Sequence, residues 1–404
     1  MRKITLFLLS SLLFSMTVFA GGYQVRLQGN KQNGMGLVGT SLNMGSSSIF
    51  YNPGALSLMK DRFHFDLGAS GIMSNIDFQR AGSNENYQTD NPMSTPFYVY
   101  GAGKINDMIT VGIGVYTPYG STSKWDDNWT GKLLIQNIAL KAIFVQPTIS
   151  FNFNEKFGIG AGFIFAMGDV EINKALNYSN DAKANLKGSS TSYGFNIGAF
   201  YKATDKLAFG VDYRSEIKMK VEGGDATFTV PASLQTTIPA SNKFDAELPL
   251  PANLDFSVSY QATEQLLLAF ELDWVMWGTY KSLDFTFEEQ GMLLNSENPR
   301  EYKDTFIPRI GAQYSLNDQF QLRAGLYYDQ SPTNEEYFTP ETVSLNSFAY
   351  TLGLSYHPTE KLSIDLSFVN IFGQKSTKEY APDNFKGTYQ TIVYIPGIGI
   401  SYKF

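Results

Sequence analysis

Alternation of apolar and polar residues, sustained over long segments, constrains this chain more than any other feature. From Lys206, one parity carries Leu207, Phe209, Val211, Tyr213, Ile217, Met219 and Val221. The other carries Lys206, Asp212, Arg214, Glu216, Lys218 and Lys220. The split recurs in Phe320, Leu322, Ala324, Leu326 and Tyr328 against Gln319, Gln321, Arg323 and Asp329. It recurs again in Leu362, Ile364, Leu366 and Phe368 against Lys361, Ser363, Asp365 and Ser367. A period of two is that of a strand whose faces meet different surroundings. Its length and repetition suit a barrel that is apolar towards lipid and polar towards a lumen.

The chain ends in such a segment. Ile392, Tyr394, Ile398, Ile400, Tyr402 and Phe404 share one face, and Thr391, Gly397, Gly399, Ser401 and Lys403 share the other. An aromatic terminus suits a last strand that closes a barrel against the first, and that strand is the expected contact with the outer-membrane assembly machinery.

Turns divide the rest. Short polar turns occur at Asn106-Asp107, Asn154-Glu155-Lys156, Thr204-Asp205-Lys206, Thr263-Glu264-Gln265, Asn317-Asp318-Gln319 and around Thr359. Measured from Asn106, Asn154, Thr204, Thr263, Asn317 and Thr359, they are spaced by 48, 50, 59, 54 and 42 residues. Each interval holds two strands and one longer polar connection. Fourteen strands are predicted, near 62–79, 97–105, 108–118, 140–153, 156–173, 190–203, 206–222, 252–261, 265–287, 304–316, 319–329, 347–357, 361–372 and 389–404. The predicted fold is therefore all-β: a transmembrane antiparallel barrel over 62–404, with short turns in the periplasm and long loops outside.

The N-terminus reads as an export signal. Arg2 and Lys3 precede an apolar run from Ile4 to Phe14, and Val18-Phe19-Ala20 resembles a cleavage site. Removal of residues 1–20 would leave 384 residues (404 − 20) with 29 basic and 38 acidic side chains, a formal charge of −9. That balance argues against a nucleic-acid partner. Zero cysteines exclude a thiolate nucleophile and a disulfide framework. Nothing in the sequence calls for a cofactor or a metal. The 24 Tyr, 31 Phe and 36 Gly fit aromatic girdles on a barrel. The expected location is the bacterial outer membrane, crossed many times.

Residues 21–61 do not fit the alternation. They are rich in Gly, Ser and Asn. A barrel of this width leaves an open pore unless something fills it, so this segment is expected as a plug inside the lumen.

The sequence resembles the FadL/TodX family of outer-membrane transporters for hydrophobic compounds. The resemblance rests on Phe50-Tyr51-Asn52-Pro53-Gly54 and on the run from Val111 to Gly120. It rests equally on Phe209 to Glu216 and on Leu322 to Pro332. It implies a monomeric fourteen-stranded barrel whose N-terminal segment is a hatch. It implies binding of long-chain fatty acids or aromatic hydrocarbons in apolar pockets, hatch rearrangement, and lateral release into the membrane at a kink in the third strand. The hatch motif Asn-Pro-Ala of the family, here Asn52-Pro53-Gly54, is then expected near that kink. Thr117, Pro118 and Gly120 are the candidates for the kink, since proline cannot donate to a ladder and glycine weakens a strand. From the residues alone, the same stretch could equally end strand three at a loop.

A fatty acid needs an apolar trough for its tail and a cation for its carboxylate. Ile164, Val170 and Ile172 fall on the inward parity of strand five, with Lys174 just beyond. Phe285 and Phe287, followed by Met292, Leu293 and Leu294, are candidates for the mouth. Basic residues near the outer end of strand five and before strand ten are implied by the resemblance. Here Ile172 stands at the first position and Lys174 follows, while Arg300 and Lys303 precede strand ten; each could instead be a solvated loop charge. Asp212, Arg214, Glu216, Arg309, Arg323 and Asp365 are expected to line the lumen as an ion-pair network.

Two other classes compete. A lipase needs a His within reach of a nucleophile at the bilayer surface. The two histidines, His64 and His357, both fall near periplasmic turns. A general diffusion porin or a purely structural barrel would not call for the long leader or for apolar lumen patches.

Overall fold

The computed structural model describes residues 22–404; the export signal expected over 1–20 lies outside them. Three short helices come first: α1 (Asn30–Asn33), α2 (Ser48–Tyr51) and α3 (Pro53–Leu56). The strands begin with β1 (Phe63–Ser70), β2 (Met73–Arg80), β3 (Asn86–Gln88), β4 (Phe97–Lys104) and β5 (Ile109–Lys124). Then follow β6 (Asn137–Phe153), β7 (Phe157–Ala175), β8 (Lys183–Lys202), β9 (Leu207–Arg214) and β10 (Ile217–Thr229). Next are β11 (Ser241–Leu250), β12 (Asn253–Gln261), β13 (Leu266–Val275), β14 (Thr286–Phe287) and the outer helix α4 (Gly291–Leu294). The last are β15 (Thr305–Ser315), β16 (Phe320–Asp329), β17 (Ser347–Tyr356), β18 (Leu362–Gly373), β19 (Ser376–Tyr380) and β20 (Phe385–Lys403).

These strands make one closed antiparallel barrel of fourteen staves. Four staves are broken in two: β1 with β2, β9 with β10, β11 with β12, and β13 with β14; β3 and β19 sit in the outer loops. Closure is direct, because His64 pairs with Ala102 of β4 on one side and with Lys403 of β20 on the other. Phe404 completes the seam: it accepts from Phe63 N at 2.8 Å, donates to Phe63 O at 3.0 Å, and its ring lies 5.1 Å from that of Phe63. Large apolar side chains such as Leu67, Ile113, Phe209, Phe270, Leu352 and Ile398 face outwards, as a lipid-facing band requires.

The staves depart from the sequence expectation where they break. The third runs on to Lys124 instead of ending at 118. The ninth, expected over 265–287, stops at Val275, and Phe285 and Phe287 lie beyond a 3-10 turn at Trp277–Thr279. The seventh, expected as one strand over 206–222, breaks at Ser215–Glu216. Past that break the facing reverses: Ile217, Met219 and Val221 are buried inside, while Lys218 and Lys220 are exposed outside. An irregular step exchanges the two faces for the residues that follow it, here as far as Val221, after which the bulge before Gly224 exchanges them back.

Candidate functional site

The lumen holds the N-terminal segment, tied to the wall by three polar clusters. In the first, Arg26 reaches Asp255 at 2.9 Å, Glu271 at 2.7 Å and Asp273 at 3.3 Å, and Arg309 joins Asp273 at 3.2 Å. The second oxygen of Glu271 accepts from Gly39 N at 3.0 Å and Thr40 N at 2.8 Å. In the second, Arg214 donates to Phe50 O at 2.8 Å and to Tyr116 Oη at 2.9 Å, and Asn196 bridges Gln146 to Asp212. In the third, Lys31 lies 3.7 Å from Asp365, whose neighbours are Ser355, Ser363 and Ser401. Arg323 joins this end through Ser355. The expected single network is thus three separate ties, and Glu216 belongs to none of them: it accepts from Thr279 at the break in its own stave. Arg26 carries most of the first tie, yet alternation does not single it out. The signal lies in its partners, since Asp255, Glu271 and Asp273 all fall on inward positions of adjacent staves.

Asn52 caps α3 by accepting from Gly54 N at 2.9 Å and donates to Thr40 O and Ala199 O. A Cβ on Gly54 would stand 2.7 Å from the carbonyl oxygens of both Gly158 and Gly198. Asn52-Pro53-Gly54 is therefore docked against β6, β7 and β8 and away from the break in β5, contrary to the expected placement at the kink. The gap in the family motif is physical: only glycine allows this approach.

The break in β5 is a bulge. Tyr116 pairs with Phe144 and Tyr119 with Ala142, so Thr117 and Pro118 together face Ile143. The extra residue turns Tyr119 inwards beside Tyr116. The ladder between β4 and β5 ends at Tyr98–Tyr116, and the Thr117 hydroxyl accepts from Phe97 N at 3.0 Å. Above that point the edge of β5 pairs with the N-terminal segment: Val25 N donates to Pro118 O at 2.7 Å, Gly120 N to Tyr23 O at 3.1 Å, and Gln28 Nε2 to Thr117 O at 2.8 Å. Further out, Asp90 N donates to Lys124 O and Lys124 N to Asn91 Oδ1. Segment 92–96 and β5 residues 119–123 thus frame a window in the wall. Unpaired backbone beside lipid is costly, and here the N-terminal segment supplies missing partners.

A cavity of about 980 Å³ joins that window to the lumen. Its wall includes Ile72, Met93, Thr117 and Gly120 at the window, Arg26, Leu27 and Trp277 inside, and Arg309 and Tyr327 on the far side. The Arg309 guanidinium lies 5.0 Å over the Tyr327 ring, and its Nε and Nη1 have no hydrogen-bond partner among the described residues. A second, narrow pocket of about 70 Å³ shares Tyr119, Leu140, Val170 and Glu341 with the first. Its wall is almost wholly apolar: Tyr23, Ile138, Ile172, Met219, Leu250, Phe285 and their neighbours.

The predicted ligand residues divide accordingly. Val170, Ile172 and Phe285 meet in the narrow pocket. Ile164 is fully buried lower on the same inward row, packed with the plug-side core. Phe287 packs on Phe244 and Phe228 at the outer end. Arg300 is buried and reaches Glu341 at 2.6 Å; burial opposes its charge, but Glu341 together with Tyr280, Tyr302 and Tyr380 outweighs that and holds the guanidinium above its ordinary range. Lys174 and Lys303 line neither cavity.

A closed lipid-facing barrel with its N-terminal segment in the lumen, an internal apolar pocket and a bulge-framed window defines a class: an outer-membrane transport barrel for hydrophobic compounds. The model of the family described as outer membrane protein transport protein (OMPP1/FadL/TodX) matches residues 11–404, and the chain belongs to that family. Among relatives, the long-chain fatty acid transport protein of Escherichia coli O6:H1 is 22% identical, covering 93% of each chain. A Pseudomonas aeruginosa FadL homologue superposes with a TM-score of 0.83 at 19% identity, over 95% of this chain and 100% of that one. The Pseudomonas putida toluene transporter TodX superposes with a TM-score of 0.77 at 17% identity, over 93% and 98%.

Proposed function

We propose that this barrel takes up long-chain fatty acids, holding the molecule in the large cavity with the end of its tail in the narrow apolar pocket, and releasing it sideways through the window beside Thr117–Pro118. One observation carries the reading: the apolar pocket adjoins a cavity whose wall bears the Arg309 guanidinium, with Nε and Nη1 lacking a hydrogen-bond partner among the described residues, and which reaches the window. A tail gains about 0.8 kcal/mol per buried methylene, and a carboxylate favours charged donors. Cavities of about 300–1,000 Å³ are typical of small-molecule sites. Residues 22–59 act as the hatch: their pairing with β5 must loosen for release. The named relative that transports long-chain fatty acids supports the same cargo.

A second reading, monoaromatic hydrocarbons, draws on a different observation. Arg300 is already matched by Glu341, and Lys174 and Lys303 stand away from both cavities. Competition binding of oleate against toluene separates the two. Arg309→Gln should weaken oleate at least tenfold and leave toluene within twofold, with Arg300→Ala and Lys174→Ala as comparisons. Equal loss of both ligands in Arg309→Gln would reject the carboxylate role.

A further inference from the structure

The wall has a second lapse, on another stave. β8 and β9 are paired up to Asn196–Arg214, and β8 and β10 resume pairing only at Lys187–Asp225. Between these points, residues 188–195 of β8 run beside residues 215–224 with no ladder partner across the seam. The stretch opposite β8 is two residues longer, which takes up the break at Ser215–Glu216 and a bulge between Val221 and Gly224. A few bonds pin the seam at its lower end: Ser215 N donates to Phe195 O at 2.9 Å, and Ser192 Oγ donates to Lys218 O at 2.5 Å.

What fills the seam is side chain. A Cβ on Gly188 would stand 2.4 Å from Val221 Cγ1, one on Gly194 would stand 2.6 Å from Ile217 Cδ1, and one on Gly168 would stand 2.8 Å from Met219 Cε. Behind these three apolar side chains lies the narrow pocket, whose wall includes Gly168, Gly188, Ser190, Met219 and Val221. Ser190 Oγ is buried there without a hydrogen-bond partner among the described residues. On the outer side, Tyr193 is 61% exposed and Phe195 44%, which sets the lower seam at an aromatic girdle. Lys218 and Lys220 reach Glu247 at 3.6 and 3.5 Å just above it.

We infer that the seam between β8 and β10 is a second lateral port, by which a hydrophobic compound exchanges between the narrow pocket and the outer leaflet. Ile217, Met219 and Val221 are its gate. Opening the gate across 188–194 breaks no ladder hydrogen bond, because the ladder there is already absent; the Ser192 Oγ–Lys218 O bond must be released, and rotamer changes of three side chains do the rest. The inference rests on the reading that the pocket holds a hydrophobic cargo, and it assigns a route different from the window at β5.

The chain has no cysteine, so thiols can be placed cleanly. In Thr191→Cys/Lys218→Cys, a short bis-maleimide would tie the outward faces of the seam. Met167→Cys/Thr191→Cys is the control, since Met167 and Thr191 are ladder partners in an intact part of the wall. The readout is the exchange rate of cis-parinaric acid, a fluorescent long-chain fatty acid, between protein and phospholipid vesicles, alongside its equilibrium affinity. Bridging the seam should slow exchange at least tenfold with affinity unchanged, and bridging the control pair should do neither. Met219→Ala, which enlarges the gate without a cross-link, should speed exchange severalfold. Unchanged exchange in both the bridged seam and Met219→Ala would overturn the port while leaving the cargo reading intact. Failure of the unbridged protein to bind cis-parinaric acid at all would overturn both.

Discussion

The Arg26 guanidinium in the plug lies 2.7 Å from the Glu271 carboxylate in β13, and the other oxygen of that carboxylate accepts from Gly39 and Thr40. One wall residue therefore grips the plug at two places separated by thirteen positions of chain. Asp255 and Asp273 complete the surround, so removing Arg26 leaves three buried carboxylates facing one another with only Arg309 beside them.

Arg26→Met should loosen the plug without unfolding the barrel. Breaking a buried ion pair from one side typically costs about 3–5 kcal/mol. Planar-bilayer recording should show frequent conducting openings in Arg26→Met and rare ones in the parent. Deletion of residues 22–55 should give a steady pore; a silent deletion variant would mean that this segment is no plug.

Deleting Pro118 removes the extra residue opposite Ile143 and restores an unbroken register between β5 and β6. Tyr119 would then take the next regular position, and the window would narrow. Fatty acid uptake by cells should fall at least tenfold, while heat-modifiable migration on gels, a sign of a folded barrel, stays as in the parent. Normal uptake in this variant would exclude the window as the release route.

Gly54→Ala places a Cβ 2.7 Å from the carbonyl oxygens of Gly158 and Gly198. Backbone carbonyls in a barrel wall cannot swing aside as a side chain can. Overpacking of this kind costs about 1–3 kcal/mol. Limited proteolysis should cut the plug of this variant sooner than the parent, with Gly54→Ser affected at least as much.

Val170→Asp puts an unpaired carboxylate among Ile172, Met219, Leu250 and Phe285 in the narrow pocket. Oleate and toluene should both lose at least tenfold in affinity, because both apolar ligands would have to bury beside that charge. Isothermal titration in detergent reads this directly. An effect on neither ligand would place the cargo elsewhere in the lumen.

Much of the architecture was legible in the chain. The turn at Thr204-Asp205-Lys206 and its five counterparts divide the staves where the sequence places them, because tight polar turns are encoded locally. Val170 and Ile172 could be picked out as inward apolar residues because they interrupt a polar row, and Phe285 as a candidate for the mouth. The partners of Arg26 were harder. Asp255, Glu271 and Asp273 converge only when staves eight and nine lie side by side, and the cation comes from a segment more than two hundred residues away.

The sequence by itself determined a lipid-facing barrel of fourteen staves closed at Phe404, since alternation and turns are properties of neighbouring residues. Facing beyond an irregular step was decided only by the tertiary structure. Ile217, Met219 and Val221 read as lipid-facing from Leu207 onwards, yet the step at Ser215–Glu216 turns them into the lumen. Thr117–Pro118 does the same for Tyr119. The reason is geometric: in a strand of period two, one added or skipped position exchanges both faces, and only packing against the plug and the adjoining staves decides whether that step is taken.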